Sequence, residues 1–410
     1  MSSSRIPVSN AAITVVGIGA DGWPGVPERL RRLILDAPVV LGGRRHLAML
    51  PPVPGQQRQA WPSPLRANLP GLLAGLDGPV VALASGDPLV AGIGTVLLEL
   101  CPPGTVRIEP AVSSVALARA RMGWPAETCT VVNLVGRDPA LLRRQLAPGR
   151  RVLVLCSDAG TPGVVAALLV GAGYGASRLA VLGDLAAPTE SRLESTASGW
   201  TADPPPDVPQ LAIVALDLDG PALLGWLAGL PDDAFEHDGQ LTKRDLRASA
   251  LARLAPVPGE HLWDVGAGAG SIAIEWLRAD PACTATAIEA DPVRVERIAR
   301  NAAALGVPGL AVVAGRAPAA LHGLSTPQAI FVGGGASMPG LLEHCLDALA
   351  VGGRLVVHGV TVETEQRLAA AHASHGGELV RIGVETAAPI GRYTGWTPAR
   401  TVTQWAFTKP

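Results

Sequence analysis

The chain has 410 residues, too many for one ordinary domain, so two or three are expected. It is 48% hydrophobic and 17% charged, with a formal net charge of −2. That balance supplies a sizeable core and argues against a nucleic-acid partner, which would demand a basic face. Residues 1–10 lack a basic start followed by an apolar run, and no long uncharged stretch escapes Gly and Pro punctuation. Neither a signal peptide nor a membrane span is expected, and the location expected is cytoplasmic. The five cysteines (Cys101, Cys129, Cys156, Cys283, Cys345) are scattered without a C-x-x-C pair. They read as buried thiols of a reducing compartment, with no metal site. Lysine occurs only as Lys243 and Lys409. Arginine carries the remaining positive charge, a bias that genome composition explains first; its fork also suits a substrate rich in carboxylates.

In chain order, residues 12–16 form a β-branched run that enters Gly17-Ile18-Gly19-Ala20-Asp21-Gly22. Residues 27–35 read as a helix, and 39–41 as a strand entering Gly42-Gly43-Arg44-Arg45-His46. A proline-rich connection, 51–64, leads to a helix around 69–76. Residues 80–84 then form a strand ending in Ser85-Gly86-Asp87-Pro88, with Gly92-Ile93-Gly94 opening the next helix. An Asp between Gly and Pro at a strand end can simply cap its turn. Ser113-Ser114 start a helix that Gly123 ends. Strands follow at 130–135, 151–156, 179–182 and 211–216. The second leads into Ser157-Asp158 and the third into Gly183-Asp184, while the Pro-Pro-Pro run within 201–209 is a loop.

Residues 218–239 read as a linker, with a short apolar helix at 222–227 and an acidic loop through Asp232, Asp233, Glu236 and Asp238. Beyond it, a helix at 246–254 precedes Leu262-Trp263-Asp264-Val265-Gly266-Ala267-Gly268-Ala269-Gly270, an apolar strand running into a glycine turn. A helix from 271 to 278 and a strand at 284–288 follow, and the strand ends in Glu289. An acid at that place accepts ribose hydroxyls in α/β nucleotide sites. The spacing is G-x-G-x-G, not the G-x-G-x-x-G that seats a pyrophosphate on a helix dipole. A ligand with adenosine and no phosphate, S-adenosylmethionine (SAM), meets that description. A helix from Pro292 closes at Asn301, and strands follow at 310–314, 328–332 and 353–358. A C-terminal pair, 379–384 and 401–408, flanks a Gly/Arg/Trp loop at 390–400.

Residues 12–217 resemble the tetrapyrrole methylase family, in the cobalamin-pathway branch that alkylates carbon 5 of a precorrin. The resemblance is carried by Gly17-x-Gly19-x-Asp21-Gly22, Gly43-Arg44 with His46, Ser85-Gly86-Asp87-Pro88, and Pro110 with Ser113-Ser114. Ala20 and Asp21 stand where the common family turn has a proline. The resemblance implies a two-subdomain α/β fold with SAM in its cleft, touched by Ala20, Asp87, Val90, Ser114 and Val115. Residues 240–410 resemble class I SAM-dependent methyltransferases, which have a Rossmann-like fold, and among them the decarboxylating precorrin methyltransferases. Thr242-Lys243, the central glycine stretch, Glu289, Gly315-x-Ala317-Pro318 and Phe331-Val332-Gly333-Gly334 carry it. This second resemblance implies SAM contacts at Thr242, Gly266, Ala267, Gly268, Ala269, Gly270, Glu289 and Ala317.

In tandem the two resemble fused precorrin methyltransferases that act on carbons 5 and 15 and decarboxylate an acetate side chain. Two SAM sites per chain, a precorrin macrocycle as substrate and a homo-oligomeric state are implied. Candidate substrate contacts are His46, Arg316, Gly333, Gly334, Arg392 and Arg400, the arginines as carboxylate clamps. No catalytic acid or base is assigned, because methyl transfer rests mainly on alignment. The conjugated macrocycle can serve as the electron sink for decarboxylation, so a Schiff base on Lys243 is not required. Two other readings stay open: a methyltransferase for RNA or protein, and a chain in which one half only senses SAM. The charge balance and the lack of an Asn/Asp-Pro-Pro-Tyr sequence after the fourth strand weigh against the first.

Overall fold

The computed structural model describes residues 12–76, 78–222 and 224–410. The reading of residues 1–10 therefore lies outside them. The described residues of Met1–Pro139 and Gln145–Ala222 form one compact unit, and those of Ala140–Arg144 and Leu223–Pro410 a second.

The first unit holds two five-stranded sheets. One contains β1 (Ile13–Ile18), β2 (Val39–Gly42), β3 (Gln57–Ala60), β4 (Val80–Ser85) and β5 (Val106–Glu109), ordered β3-β2-β4-β1-β5 and wholly parallel. Its central strands are buried on both faces, as apolar runs such as Val80-Val81-Ala82-Leu83 require. The other contains β6 (Cys129–Asn133), β7 (Arg151–Leu155), β8 (Arg178–Gly183), β9 (Ser191–Thr196) and β10 (Ala212–Asp217), ordered β6-β7-β10-β8-β9. Here β10 runs antiparallel to both of its neighbours. Strands β3, β5 and β9 have no counterpart in the sequence reading. All three are short edge strands with polar or charged residues, which tertiary pairing holds in place.

The second unit is built on β11 (His261–Val265), β12 (Thr284–Glu289), β13 (Ala311–Ala314), β14 (Ala329–Val332), β15 (Arg354–Gly359), β16 (Glu378–Ile382) and β19 (Val402–Thr408). Their order is β13-β12-β11-β14-β15-β19-β16, with β19 antiparallel to both neighbours. A Rossmann-like parallel core with an antiparallel strand near its edge results. The stretch expected as a loop at 390–400 is instead largely a hairpin of β17 (Glu385–Ile390) and β18 (Tyr393–Pro398), turning through Gly391 at φ +58°. A two-residue turn opening on glycine is the hairpin signal that was overlooked there.

Two further expectations change. Among the described residues of 222–227 there is no helix, and Leu223 lies outside them. The helix from Pro292 runs on to Ala304, so Asn301 does not close it. Asn301 is instead buried within it. Its Nδ2 donates to the Glu236 and Ala269 carbonyls at 3.0 and 2.9 Å, while its Oδ1 accepts from the Glu236 N–H at 2.8 Å.

The acidic stretch after residue 228 is docked, not slack. Glu236 pairs with Arg300, and Asp238 with Arg294 and Arg297, all on the Pro292–Ala304 helix. Those arginines hold the Glu236 and Asp238 carboxyls below the usual carboxylate range. Deeper in, Arg247 of the Arg244–Leu254 helix is fully buried. It meets Glu275 Oε1 at 2.5 Å and Asp232 Oδ1 at 3.2 Å, and donates to the carbonyls of Thr242 and Leu230. Glu275 also accepts from the N–H groups of Gly229 (2.6 Å) and Leu230 (3.0 Å). At the far end of the chain, Lys409 Nζ donates to the carbonyls of Leu346, Asp347 and Leu349, closing the end of the Leu341–Ala348 helix.

Removing one partner of a buried pair leaves the other uncompensated, at about 3–5 kcal/mol. Arg247→Ala should therefore destabilise the second unit by about that amount, while Arg247→Met with Glu275→Leu should cost much less. Urea unfolding followed by tryptophan fluorescence measures both. A single mutant within 1 kcal/mol of wild type on the scale of that penalty would mean the pair does not order the segment.

Candidate functional site

In the first unit, a cavity of about 310 Å³ opens where β1 and β4 end. Two glycines let backbone lie bare there. A Cβ on Gly17 would stand 1.9 Å from the Gly86 carbonyl oxygen, and Gly86 itself holds φ +53°. The Ser114–Met122 helix starts at the wall, its N-cap Ser113 accepting from the Ala116 N–H at 3.1 Å. Ala20, Asp87, Val90 and Ser114 all line the cavity. Asp87 also caps its own turn, with Oδ1 accepting from the Leu89 N–H at 2.9 Å. The second sheet contributes Cys156, Ser157, Asp184 and residues 210–213.

Two expected residues sit elsewhere. Val115 packs its side chain into the core, and Leu117 reaches the cavity one turn on. His46 is 7% exposed and is not part of the cavity wall; its neighbour Arg45 is. The His46 Nε2 lies 3.2 Å from both Arg45 Nη2 and Ser85 Oγ. Burial, with a smaller contribution from Arg45, pushes the ring down to about 4, so the ring is neutral near pH 7. Arg45 was overlooked although it lies inside the quoted Gly43–His46 stretch. Burial lowers its pKa as well, and Asp184 across the cavity acts in the opposite direction.

The second unit holds a larger cavity, about 960 Å³, at the carboxyl ends of β11, β12, β14 and β15. Cavities of some 300–1,000 Å³ are the size of small-molecule sites. The glycine turn forms its floor. Gly266, Gly268 and Gly270 have φ of +70°, +61° and +76°, a region costly for residues with a Cβ. At Gly268 an added Cβ would also meet the Gln240 carbonyl oxygen at 2.9 Å. Glu289 is 7% exposed and lines the wall. Its Oε2 accepts from the Gly268 N–H (2.8 Å), and its Oε1 from the N–H groups of Ala290 (2.9 Å) and Asp291 (3.0 Å). Three backbone donors thus fix a carboxylate that retains free lone pairs.

Thr242, Gly266, Ala267, Gly268, Glu289, Arg316, Ala317, Gly333, Gly334 and Arg400 come together around this cavity. Ala269 and Gly270 lie beneath it in the turn, with Gly270 at the N-cap of the Ser271–Ala279 helix. Arg392 is at the hairpin turn, its guanidinium 5.0 Å over the Tyr393 ring, and does not line the cavity. Lys243 lines it with Nζ 3.5 Å from Asp232 Oδ2. Arg294 and His358 are also on the polar wall; no local motif marks Arg294, which long-range packing delivers. Among the described residues no group of three or more His, Cys, Asp or Glu could hold a metal ion. Nor is any helix among them long and apolar enough to cross a membrane.

Residues 12–199 match the family described as Tetrapyrrole (Corrin/Porphyrin) Methylases, and residues 233–409 the one described as Precorrin methyltransferase domain. Over 409 residues the chain is 45% identical to a Sinorhizobium protein named precorrin-6Y C(5,15)-methyltransferase [decarboxylating], covering 100% of this chain and 99% of that one. A Mycobacterium tuberculosis protein of the same name is 46% identical, covering 97% of this chain and 100% of its own. A solved structure, the C-terminal domain of precorrin-6Y C5,15-methyltransferase from Rhodobacter capsulatus, is 43% identical with a TM-score of 0.43. It covers 45% of this chain and 100% of that one.

Asp264, just before the glycine turn, is 1% exposed and accepts from the Ala273 N–H at 3.1 Å. Burial pushes its carboxyl up to about 7; the Ala273 N–H opposes the shift and Glu289 adds to it. An unfolded Asp releases its proton near pH 4, so between about pH 4 and 7 the folded state binds more protons. Its stability contribution is full below that interval and is lost as pH rises through about 7. Asp264→Asn should therefore lose less stability than wild type between pH 5 and pH 8. Urea midpoints at the two pH values check this, and equal losses would mean Asp264 does not carry the shift.

Proposed function

Because the chain belongs to the precorrin-6Y C(5,15)-methyltransferase (decarboxylating) family, we propose that each of its two cavities takes one molecule of SAM. In this reading residues 12–217 methylate carbon 5 of the precorrin. Residues 240–410, reached through the segment 218–239, methylate carbon 15 and remove the carboxyl group of the ring C acetate side chain. The product is precorrin-8, an intermediate of cobalamin biosynthesis. The supporting observation is that each unit has its own cavity built on a glycine turn at strand ends. The five free cysteines support a cytoplasmic location. The exposed apolar side chains of Ile390, Tyr393 and Trp396 on the hairpin support a homo-oligomer.

The donor set of the second cavity fits the cofactor. Glu289 offers carboxylate lone pairs for ribose hydroxyls, and the positive-φ glycines Gly266 and Gly268 hold the turn against the Gly334 and Gln240 backbone at the cavity floor. Thr242 and Ala317 form further walls. In the first cavity Ala20, Val90 and the Gly86–Asp87 backbone would hold it, with Ser114 at the helix start and Val115 behind. When bound, SAM supplies an electrophilic methyl group on a sulfonium. The residues of this chain align the acceptor carbon and keep water out, and such alignment is worth about 7–11 kcal/mol. Arg316 and Arg400 stand on the second cavity wall, where they would hold carboxylates of the macrocycle. Gly333 and Gly334 leave its face open beside them. Lys243 is engaged by Asp232 and takes no covalent part.

Calorimetric titration with SAM should give two sites per chain. Glu289→Ala should weaken one of them by about 1.5–3 kcal/mol, or one to two powers of ten in Kd, and leave the other unchanged. A single site in protein that adds both methyl groups would overturn the two-site reading.

A further inference from the structure

Among the polar groups of the large cavity that these roles leave unused is His358. His358, near the end of β15, is 7% exposed and lines the wall. It lies opposite Gln404 in the antiparallel pairing of β15 with β19, and Gln404 is fully buried. The Gln404 amide has one satisfying orientation. Its oxygen accepts from Arg253 Nε (3.0 Å) and Nη1 (3.2 Å), and its NH2 donates to His358 Nε2 at 2.9 Å. The reverse would set an NH2 against a guanidinium, donor against donor, because arginine has no acceptor. Arg253 is itself anchored by Glu378, through bonds of 2.6 and 2.8 Å, and by Ser249 Oγ at 2.9 Å.

With Nε2 accepting, the single proton of the neutral ring sits on Nδ1. Burial lowers the ring's pKa and favours that neutral form. Among the described residues Nδ1 has no hydrogen-bond partner, and the ring lines the cavity, so Nδ1 is the ring nitrogen left for a ligand there. The Phe331 ring, edge-on at 5.0 Å, restrains the imidazole plane.

We propose that His358 is a positioning residue for the macrocycle. It presents a neutral Nδ1–H to a substrate carboxylate oxygen, in a tautomer that Arg253 dictates through Gln404. The proposal rests on the reading of this cavity as the decarboxylating site. Arg316 and Arg400 attract carboxylates by charge, whereas a fixed neutral donor selects one oxygen by direction.

The test compares two substitutions in the full chain. In His358→Asn the amide nitrogen takes the place of Nδ1; in His358→Gln it takes the place of Nε2. His358→Gln should raise KM for the precorrin in carbon dioxide release by about 10- to 100-fold, the worth of one hydrogen bond to a charged group. His358→Asn should stay within about threefold on the same scale, with SAM affinity unchanged in both. Gln404→Glu, which accepts from both sides, should move the proton to Nε2, as ring 15N shifts would record, and raise KM as His358→Gln does. Carbon dioxide release with His358→Gln equal to wild type, or His358→Asn as impaired as His358→Gln, would overturn the proposal. A wild-type chain that releases no carbon dioxide would refute the functional reading of the cavity instead.

Discussion

The buried pair of Arg247 and Glu275 is the interaction on which the second unit's working surface depends. Two charges taken out of water gain little net stability over a hydrophobic pair. What they supply here is placement. Glu275 collects the N–H groups of Gly229 and Leu230, while Arg247 collects the carbonyls of Leu230 and Thr242. A segment whose regular structure is one short 3-10 turn, Asp232–Ala234, is thereby given one position, and Thr242 is set at the cavity wall. A hydrophobic pair would cost less than a lone buried charge, but it would leave those backbone groups without partners and forfeit part of the stability.

The same economy recurs one layer out. Asn301 binds Glu236 on one side and the glycine-turn carbonyl of Ala269 on the other, so a single amide joins the acidic segment to the ligand-facing turn. Around it, Arg294, Arg297 and Arg300 at three-residue steps share one helix face and take up Glu236 and Asp238. The acids that read as a linker loop are thus docked on the helix behind the cavity.

Much of the frame was legible in the sequence. Apolar runs such as Val80-Val81-Ala82-Leu83 and Leu262-Trp263-Asp264-Val265 are buried central strands, and glycines at their ends mark the places where ligands can meet backbone. Glu289 was legible for the same reason, since its position follows from strand order. The polar edge strand Gln57–Ala60 and the 385–398 hairpin were not. Strand identity there comes from a neighbour or a turn, not from a hydrophobic period. Arg294 and the link from Arg253 through Gln404 to His358 escaped for a stronger reason. They meet across long sequence separations, and nothing local in their segments announces it.

The scarcity of lysine has a chemical consequence. The chain carries two side-chain amines, and the structure treats them oppositely. Lys409 is spent on three carbonyls at a helix end, so acylation there must first break a cap. Lys243 stands half-exposed at the rim of the large cavity, engaged by Asp232. An amine-directed reagent will therefore tag the doorway of that cavity in preference to other side chains. A fluorophore or spin label attached there becomes a native reporter of what enters, with no engineered cysteine required.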